Sequence, residues 1–250
     1  MVMIVDVVRA ESSRFNHPLL MIHGLWTDAW IWTRLASYLG HRGWDAWMPS
    51  FLDDGPPPDL AARLQSLRDL CRTLPASPVL VAHDAGVGIA ALLAREIGAP
   101  AIVAIAPVAE RFGLLGRPEL WRAFFPGDIS PPHGRFGAAM FAGLGQERGR
   151  LRADCGSFLR AVARGRLRID GPAPAPGLVI SSADDPVASP PVVERLARRL
   201  GWSLDVHESA GHFPMLATGW ERVADRVHRW LVRAIGADLL AWLDAEDDDE

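Results

Sequence analysis

Val79-Leu-Val-Ala-His-Asp84-Ala-Gly86-Val-Gly88-Ile-Ala-Ala-Leu-Leu-Ala94 is the stretch from which the fold can be read. Its opening residues are apolar and partly β-branched, as in a buried strand, and the run from Val87 onward is rich in Ala and Leu, as in a helix. A strand that turns directly into a helix tolerates only small neighbours and lifts one side chain out at the C-terminal edge of a sheet. Asp84 is that side chain, followed by Ala85 and Gly86. Backbone N–H groups at the start of the helix favour negative charge there. Asp84 also reads as a plain helix N-cap, a common use of Asp ahead of an apolar helix.

Working outward, short Val/Ile/Leu-rich runs alternate with longer segments whose apolar residues recur at helical spacing. That alternation predicts an α/β fold, a mostly parallel sheet flanked by helices. Strands are expected at Leu19 to His23, Asp45 to Met48, Val79 to His83, Ala101 to Ala106, Gly177 to Ser181 and Ser203 to His207. Helices are expected at Ala29 to Gly40, Asp59 to Leu74, Val87 to Ile97, Pro191 to Leu200 and Gly219 to Ile235.

From about Glu110 to Pro176 the rhythm breaks. No buried strand is evident, and helix-like pieces such as Glu119 to Phe125 and Cys155 to Arg164 stand among scattered Gly, Pro and Arg. The segment is too long for an ordinary loop, so a mostly helical cap insertion is expected at 110–176, between core segments 1–109 and 177–250. The proline-rich exit Gly171-Pro-Ala-Pro-Ala-Pro176 stiffens one junction.

The 250 residues, 49% hydrophobic and 22% charged, suit one buried core. A net charge of -4 argues against nucleic acid and leaves a small-molecule substrate as the expected partner, with a homodimer left open. Cys71 and Cys155 lack paired spacing, so neither a disulfide framework nor a metal site is suggested, and no cofactor motif is evident. The apolar N-terminal run is broken by Asp6, and the longest apolar stretch, Pro78 to Ala94, is too short to span a bilayer. A cytoplasmic location without membrane association is expected. The acidic stretch from Asp244 reads as a solvated tail.

Three further segments share the pattern. The first strand ends in His23-Gly24-Leu25-Trp26, a later one leads into Ile180-Ser-Ser-Ala-Asp184-Asp185-Pro, and another precedes Ser209-Ala-Gly-His212-Phe-Pro-Met. With the Asp84 turn, these four motifs in this order resemble the α/β-hydrolase superfamily. The resemblance covers nearly the whole chain outside the insertion and makes the Asp84 segment a nucleophile elbow. Ala82 stands where the elbow's first glycine is usual, and Gly86 keeps the second. The resemblance implies a triad of Asp84, Asp185 and His212, with Asp184 the alternative acid. It further implies an oxyanion hole from the backbone N–H groups of Leu25 and Ala85. Trp26 is the candidate substrate-binding side chain, as pocket wall or N–H donor, with plain packing as its other reading. His83 is expected to support the elbow from beneath.

Where most members of that superfamily carry serine, this chain has aspartate. A carboxylate can attack a saturated carbon bearing a leaving group and form an ester without first losing a proton. His83-Asp84 resembles the elbow of the epoxide hydrolase and haloalkane dehalogenase branches, which implies hydrolysis of an epoxide or organohalide by way of an aspartyl ester. The chain departs from both. Its only tyrosine is Tyr38, where those epoxide hydrolases use two cap tyrosines, and Ala85 follows the aspartate, where the dehalogenases place tryptophan or arginine. Two other readings stay open: a lyase, cyclase or ester/lactone hydrolase with Asp84 as base, and a catalytically inactive ligand-binding homologue.

Overall fold

The computed structural model describes residues 3–52, 55–108 and 125–247, with the backbone alone for 237–247. In chain order the core begins with β1 (Ile4–Val8), β2 (Leu19–Ile22), a 3-10 turn (Ala29–Trp32) running into α1 (Thr33–Gly40), β3 (Ala46–Ser50) and α2 (Leu60–Cys71). It continues through β4 (Val79–His83), α3 (Gly86–Ile97) and β5 (Ile102–Ile105). Then come β6 (Asp128–Ile129), α4 (Gly134–Met140), a 3-10 stretch (Ala142–Arg150), β7 (Asp154–Cys155) and α5 (Gly156–Ala163). The chain returns to the core with β8 (Gly177–Ser182), α6 (Pro190–Leu200), β9 (Ser203–His207) and α7 (Trp220–Asp247).

Seven strands form one sheet in the order β1-β3-β2-β4-β5-β8-β9, parallel except for the antiparallel edge pair β1–β3. Its central strands are buried on both faces, which is why they read as continuous apolar runs rather than alternating ones. Leu20, Met21, Val81, Val103 and Val179 are fully buried. Each such side chain stabilises the fold by about 1.5–3 kcal/mol. The parallel register aligns Ile22 with Ala82, His83 with Ile105, and Ile105 with Ile180. The C-terminal ends of β2, β4 and β8 therefore open on one edge, where the His-Gly turn, Asp84 and Asp185 emerge.

The sheet has one strand that the sequence pattern did not announce. β1 carries Asp6 at its centre and exposes Ile4 and Val7, so neither burial nor clean alternation marks it. Its identity comes from pairing with β3, Val5 opposite Pro49.

The connection between β5 and β8 contains helices α4 and α5 together with a two-stranded antiparallel ribbon, Ile129 opposite Asp154. Two-residue strands leave no periodicity to read. α5 falls where a helix was expected at Cys155 to Arg164; the expected helix at Glu119 to Phe125 lies, apart from Phe125, outside the described residues. α7 runs on to Asp247, so the acidic stretch from Asp244 begins as helical backbone rather than as a free tail.

Candidate active site

Asp84 sits at the turn between β4 and α3 with φ 53°, a left-handed conformation for a non-glycine residue. Such a residue costs on the order of 1–3 kcal/mol and persists where its surroundings over-determine it. Here the backbone does so. Asp84 N–H donates to the Ile105 carbonyl at 3.1 Å, and the Asp84 carbonyl accepts from Val87 N–H at 3.2 Å and Val108 N–H at 3.1 Å. The small residues follow from contact distances. A Cβ on Gly86 would lie 2.6 Å from the carbonyl oxygens of Ile22 and His23, and one on Gly24 would lie 2.4 Å from Asp84 Cβ. Ala82 is fully buried and sits in register between Ile22 and Ala104. The sheet thus accommodates its methyl group at the position where glycine is usual.

The Asp84 side chain does not serve as the helix cap, since Ala85 is the N-cap of α3 and no side chain caps that end. Instead Asp84 Oδ2 accepts the Leu25 N–H at 2.8 Å, and Oδ1 lies 3.6 Å from His212 Nε2. Ala85 is buried beside it, but among the described residues no hydrogen bond joins its amide to the carboxylate. On the far side of the imidazole, His212 Nδ1–H donates to Asp185, 2.9 Å from Oδ2 and 3.1 Å from Oδ1. Asp185 is itself fixed by the N–H groups of Val187 at 2.7 Å and Ala188 at 3.0 Å. Asp84, His212 and Asp185 are all buried.

Asp184 faces elsewhere. It accepts from Gly211 N–H at 2.9 Å, Ala210 N–H at 3.1 Å and Ser209 Oγ at 3.2 Å, so it ties the histidine loop to the end of β8.

Two carboxylates around one imidazole set the electrostatics. Burial alone would disfavour the charged His212, yet the charge and hydrogen bond of Asp185, joined by Asp84, raise its pKa from an ordinary 6.5 to about 9. Burial likewise pushes the Asp84 carboxyl up, but the facing His212, the nearby His83 and the Leu25 amide outweigh it and lower its pKa. These shifts favour an Asp84 carboxylate facing a His212 imidazolium. Imidazole and carboxylates in this arrangement are chemically able to serve as nucleophile or base, proton carrier and orienting group.

Two further histidines brace it. Beneath the elbow, His83 Nε2–H donates to the His212 carbonyl at 2.8 Å while its ring packs 4.8 Å from Phe213. His23 Nδ1–H donates to the Gly24 carbonyl at 2.9 Å, and its Nε2 accepts the Phe51 N–H at 3.3 Å. Burial lowers both to about 4, in His83 aided by the His212 charge and in His23 by Arg63, so both are neutral.

Trp26 is wholly buried, and its indole N–H is committed to the Ile129 carbonyl at 3.0 Å, which leaves it none to offer a leaving group. Its ring lies edge-on to Phe141, 6.2 Å between centroids. Sequence reasoning missed the buried pair Arg63 and Asp154, which sit behind this turn. Arg63 carried a faint signal, because it shares the helical face of Leu60, Leu64 and Leu67. Asp154, in a two-residue strand, carried none.

Among the described residues, no group of three His, Cys, Asp or Glu side chains is arranged to hold a metal ion, and no helix is long and apolar enough to cross a membrane. Both cysteines are free.

A model of the alpha/beta hydrolase family matches residues 19–226. No curated protein matches. Among solved structures, a monoacylglycerol lipase from Paleococcus ferrophilus is 15% identical with a TM-score of 0.75, covering 94% of this chain and 100% of its own. A thermophilic esterase from Thermogutta terrifontis is 19% identical with a TM-score of 0.70, covering 93% of each chain. The epoxide hydrolase VrEH1 from Vigna radiata is 16% identical with a TM-score of 0.65, covering 92% of this chain and 94% of its own. At these identities the likeness is one of fold.

Proposed function

The chain belongs to the alpha/beta hydrolase family, and from that premise we propose that it hydrolyses a small apolar epoxide or organohalide through an ester formed on Asp84. The observation that carries the reading is the different setting of two oxygens on one carboxylate. Oδ2 is held by the Leu25 amide at 2.8 Å, and Oδ1 faces His212 Nε2 at 3.6 Å.

In the first half-reaction Oδ1 supplies an electron pair to a saturated carbon, and the carbon–oxygen or carbon–halogen bond breaks with its pair leaving on oxygen or halide. Asp84 becomes a neutral ester. His212 then loses one of the two charges that hold its pKa near 9, so it releases its proton more readily. An opened epoxide needs one proton and the imidazolium has one to give; a halide leaves as the anion and the proton passes to solvent.

In the second half-reaction neutral His212 takes a proton from water, and hydroxide adds to the ester carbonyl. The Leu25 N–H stabilises the charge developing on Oδ2. Collapse breaks the bond between Asp84 Cγ and Oδ1, so Oδ1 leaves in the alcohol and the water-derived oxygen stays on Asp84; the departing alkoxide takes up the carboxyl proton, and carboxylate and imidazolium are restored.

Attack by the same carboxylate on a carboxylic ester would give a mixed anhydride of high energy, which argues against simple esterase chemistry at Asp84. Tyr38 packs edge-on to Trp220 with the Arg42 guanidinium 3.5 Å from its ring centre, so its phenol is engaged in the α1 region. We read residues 110–176 as the cap bounding the substrate. Phe141 within them lies 6.1 Å, ring centre to ring centre and tilted, from Phe213, the residue next to His212.

The test is turnover of epoxides, haloalkanes, haloacetates and small esters by the protein beside Asp84→Asn and His212→Ala. The reading expects conversion of an epoxide or halide, oxygen from labelled water entering the Asp84 carboxylate over repeated turnovers, and an Asp84 adduct trapped in His212→Ala. Turnover without label in Asp84 would instead make it a base, and ester cleavage that survives Asp84→Asn would remove it from the reaction.

A further inference from the structure

Trp26 follows the amide that holds Asp84, and φ 59° places it in the left-handed region. Every polar group of Trp26 is bound by the segment between β5 and β8. Its main-chain N–H donates to Asp154 Oδ2 at 3.2 Å, its carbonyl accepts the Arg152 N–H at 3.0 Å, and its indole N–H donates to the Ile129 carbonyl at 3.0 Å. Ile129 and Asp154 are register partners across the β6–β7 ribbon, so main chain and indole of one residue dock on one rung.

Asp154 is anchored in turn. Its other oxygen, Oδ1, accepts from the fully buried Arg63 and from its own strand through Cys155 N–H at 2.7 Å. Arg63 Nε–H donates to the Pro58 carbonyl at 3.0 Å, and the guanidinium lies 4.0 Å from the ring centre of Phe158 in α5. A carboxylate whose two oxygens are claimed by different elements is a fixed point. A continuous chain of contacts runs from α2 through Arg63, Asp154 and Trp26 to the Leu25 N–H and Asp84 Oδ2.

We propose that Asp154, braced by Arg63, is a positioning residue that aims the Leu25 amide at Asp84 and so couples the seating of the insertion to the oxyanion-binding site; this rests on reading Asp84 as the reacting carboxylate. Asp154 has both oxygens bound by Trp26, Arg63 and Cys155 and makes no hydrogen bond to Asp84. It acts on the peptide one bond away from the donor, holding a backbone conformation that a tryptophan does not adopt unaided. A donor serves an oxyanion only when it is fixed before charge develops.

Removing Asp154 alone leaves Arg63 buried and unpaired, which threatens folding. The test therefore compares Arg63→Met/Asp154→Asn, which keeps an acceptor for Trp26 N–H, with Arg63→Met/Asp154→Leu, which replaces the pair by apolar side chains and keeps none. Amide exchange and the proton shift of Leu25 N–H are read in both by NMR, without substrate. The Asn form is expected to preserve the Leu25 signal. The Leu form is expected to keep its circular dichroism while exchange at Leu25 quickens at least about tenfold, with a lower kcat and little change in KM on any substrate turned over.

In the wild-type protein the Leu25 and Trp26 amides are expected to exchange together, as one opening unit, which tests the proposal even if both variants fail to fold. Trp26 exchanging much faster than Leu25, or a folded Leu form with an unaltered Leu25 amide, would overturn it. The outcomes separate from those of the reaction: a loosened Leu25 amide beside turnover indifferent to Asp84→Asn keeps the positioning role and removes the aspartyl ester. An unaltered amide beside turnover abolished by Asp84→Asn does the reverse.

Discussion

His212 stands nearer to Asp185 than to Asp84: Nδ1 is 2.9 Å from Asp185 Oδ2, whereas Nε2 is 3.6 Å from Asp84 Oδ1. The closer carboxylate shares a hydrogen bond and contributes the larger part of what lifts His212 to about 9. Asp185→Asn is therefore expected to lower the His212 pKa more than Asp84→Asn, with both below wild type. Imidazole carbon or nitrogen shifts followed against pH give the order directly, and the reverse order would mean that Asp84 dominates. The Asp84→Asn result also gauges how far His212 is released when the carboxylate becomes a neutral ester.

The adjacent aspartates separate cleanly by variant. Asp185→Asn leaves His212 without its charged partner and is expected to lower kcat at least about 100-fold, in keeping with the loss of the orienting acid in other triads. Asp184→Asn keeps the one oxygen that accepts from both loop amides, Ala210 and Gly211, and is expected to change kcat little. Its cost is about 0.5–1.5 kcal/mol of stability. Rate and melting curve, measured on both variants, decide between them.

Stability should peak near pH 6.5. His212 has a folded pKa raised from 6.5 to about 9, so its contribution is complete below 6.5 and is lost as pH climbs through 9. His23 and His83 are lowered from 6.5 to about 4, so they cost nothing above 6.5 and destabilise increasingly as pH falls toward 4. Each is a contribution on the order of a few kcal/mol. A melting temperature that rose steadily from pH 5 to 9 would contradict this assignment of charges.

Most of the parallel sheet was legible because its strands are buried on both faces and therefore read as apolar runs: Val79 to His83 and Leu19 to Ile22 hardly differ from expectation. The grouping of Asp84, His212 and Asp185 was legible because these residues follow strand ends in chain order, with His212 brought to Asp185 by the β8 and β9 loops. What escaped were partners fixed by tertiary contact alone. β1 exists through pairing with β3, and Asp154 matters because Trp26, 128 residues earlier in the chain, docks on it. The choice between Asp184 and Asp185 needed coordinates too, since both follow the same strand and only the direction of each carboxylate tells them apart.

The lone tyrosine gives a sharp comparison with chemistry that relies on phenols. Tyr38 is packed against Trp220 and Arg42. Tyr38→Phe is expected to leave turnover of any epoxide within about twofold of wild type, since phenylalanine keeps the ring that meets Trp220 and Arg42 and a change that preserves such contacts is usually worth no more than about 0.5 kcal/mol. A loss of more than about tenfold in kcat, equivalent to roughly 1.4 kcal/mol, would place the phenol in the reaction.

Gly24 and Ala82 make opposite demands on the smallest side chains. A Cβ on Gly24 would fall 2.4 Å from Asp84 Cβ and 2.5 Å from Oδ2, so Gly24→Ala must displace the carboxylate or the turn that carries Leu25. Overpacking of this kind costs about 1–3 kcal/mol, and the displaced group is the one proposed to react. Ala82 lies within β4, buried and in register with its neighbours, and the reverse change relieves nothing there. Ala82→Gly is expected to cost about 0.5–1 kcal/mol of stability through backbone entropy and to leave kcat near wild type. Gly24→Ala is expected to lower kcat at least about 100-fold, because misplacing reacting atoms by about 1 Å carries that penalty. Thermal melts beside initial rates separate the two effects, and a Gly24→Ala protein with full activity would show that Asp84 tolerates movement the proposed ester chemistry does not.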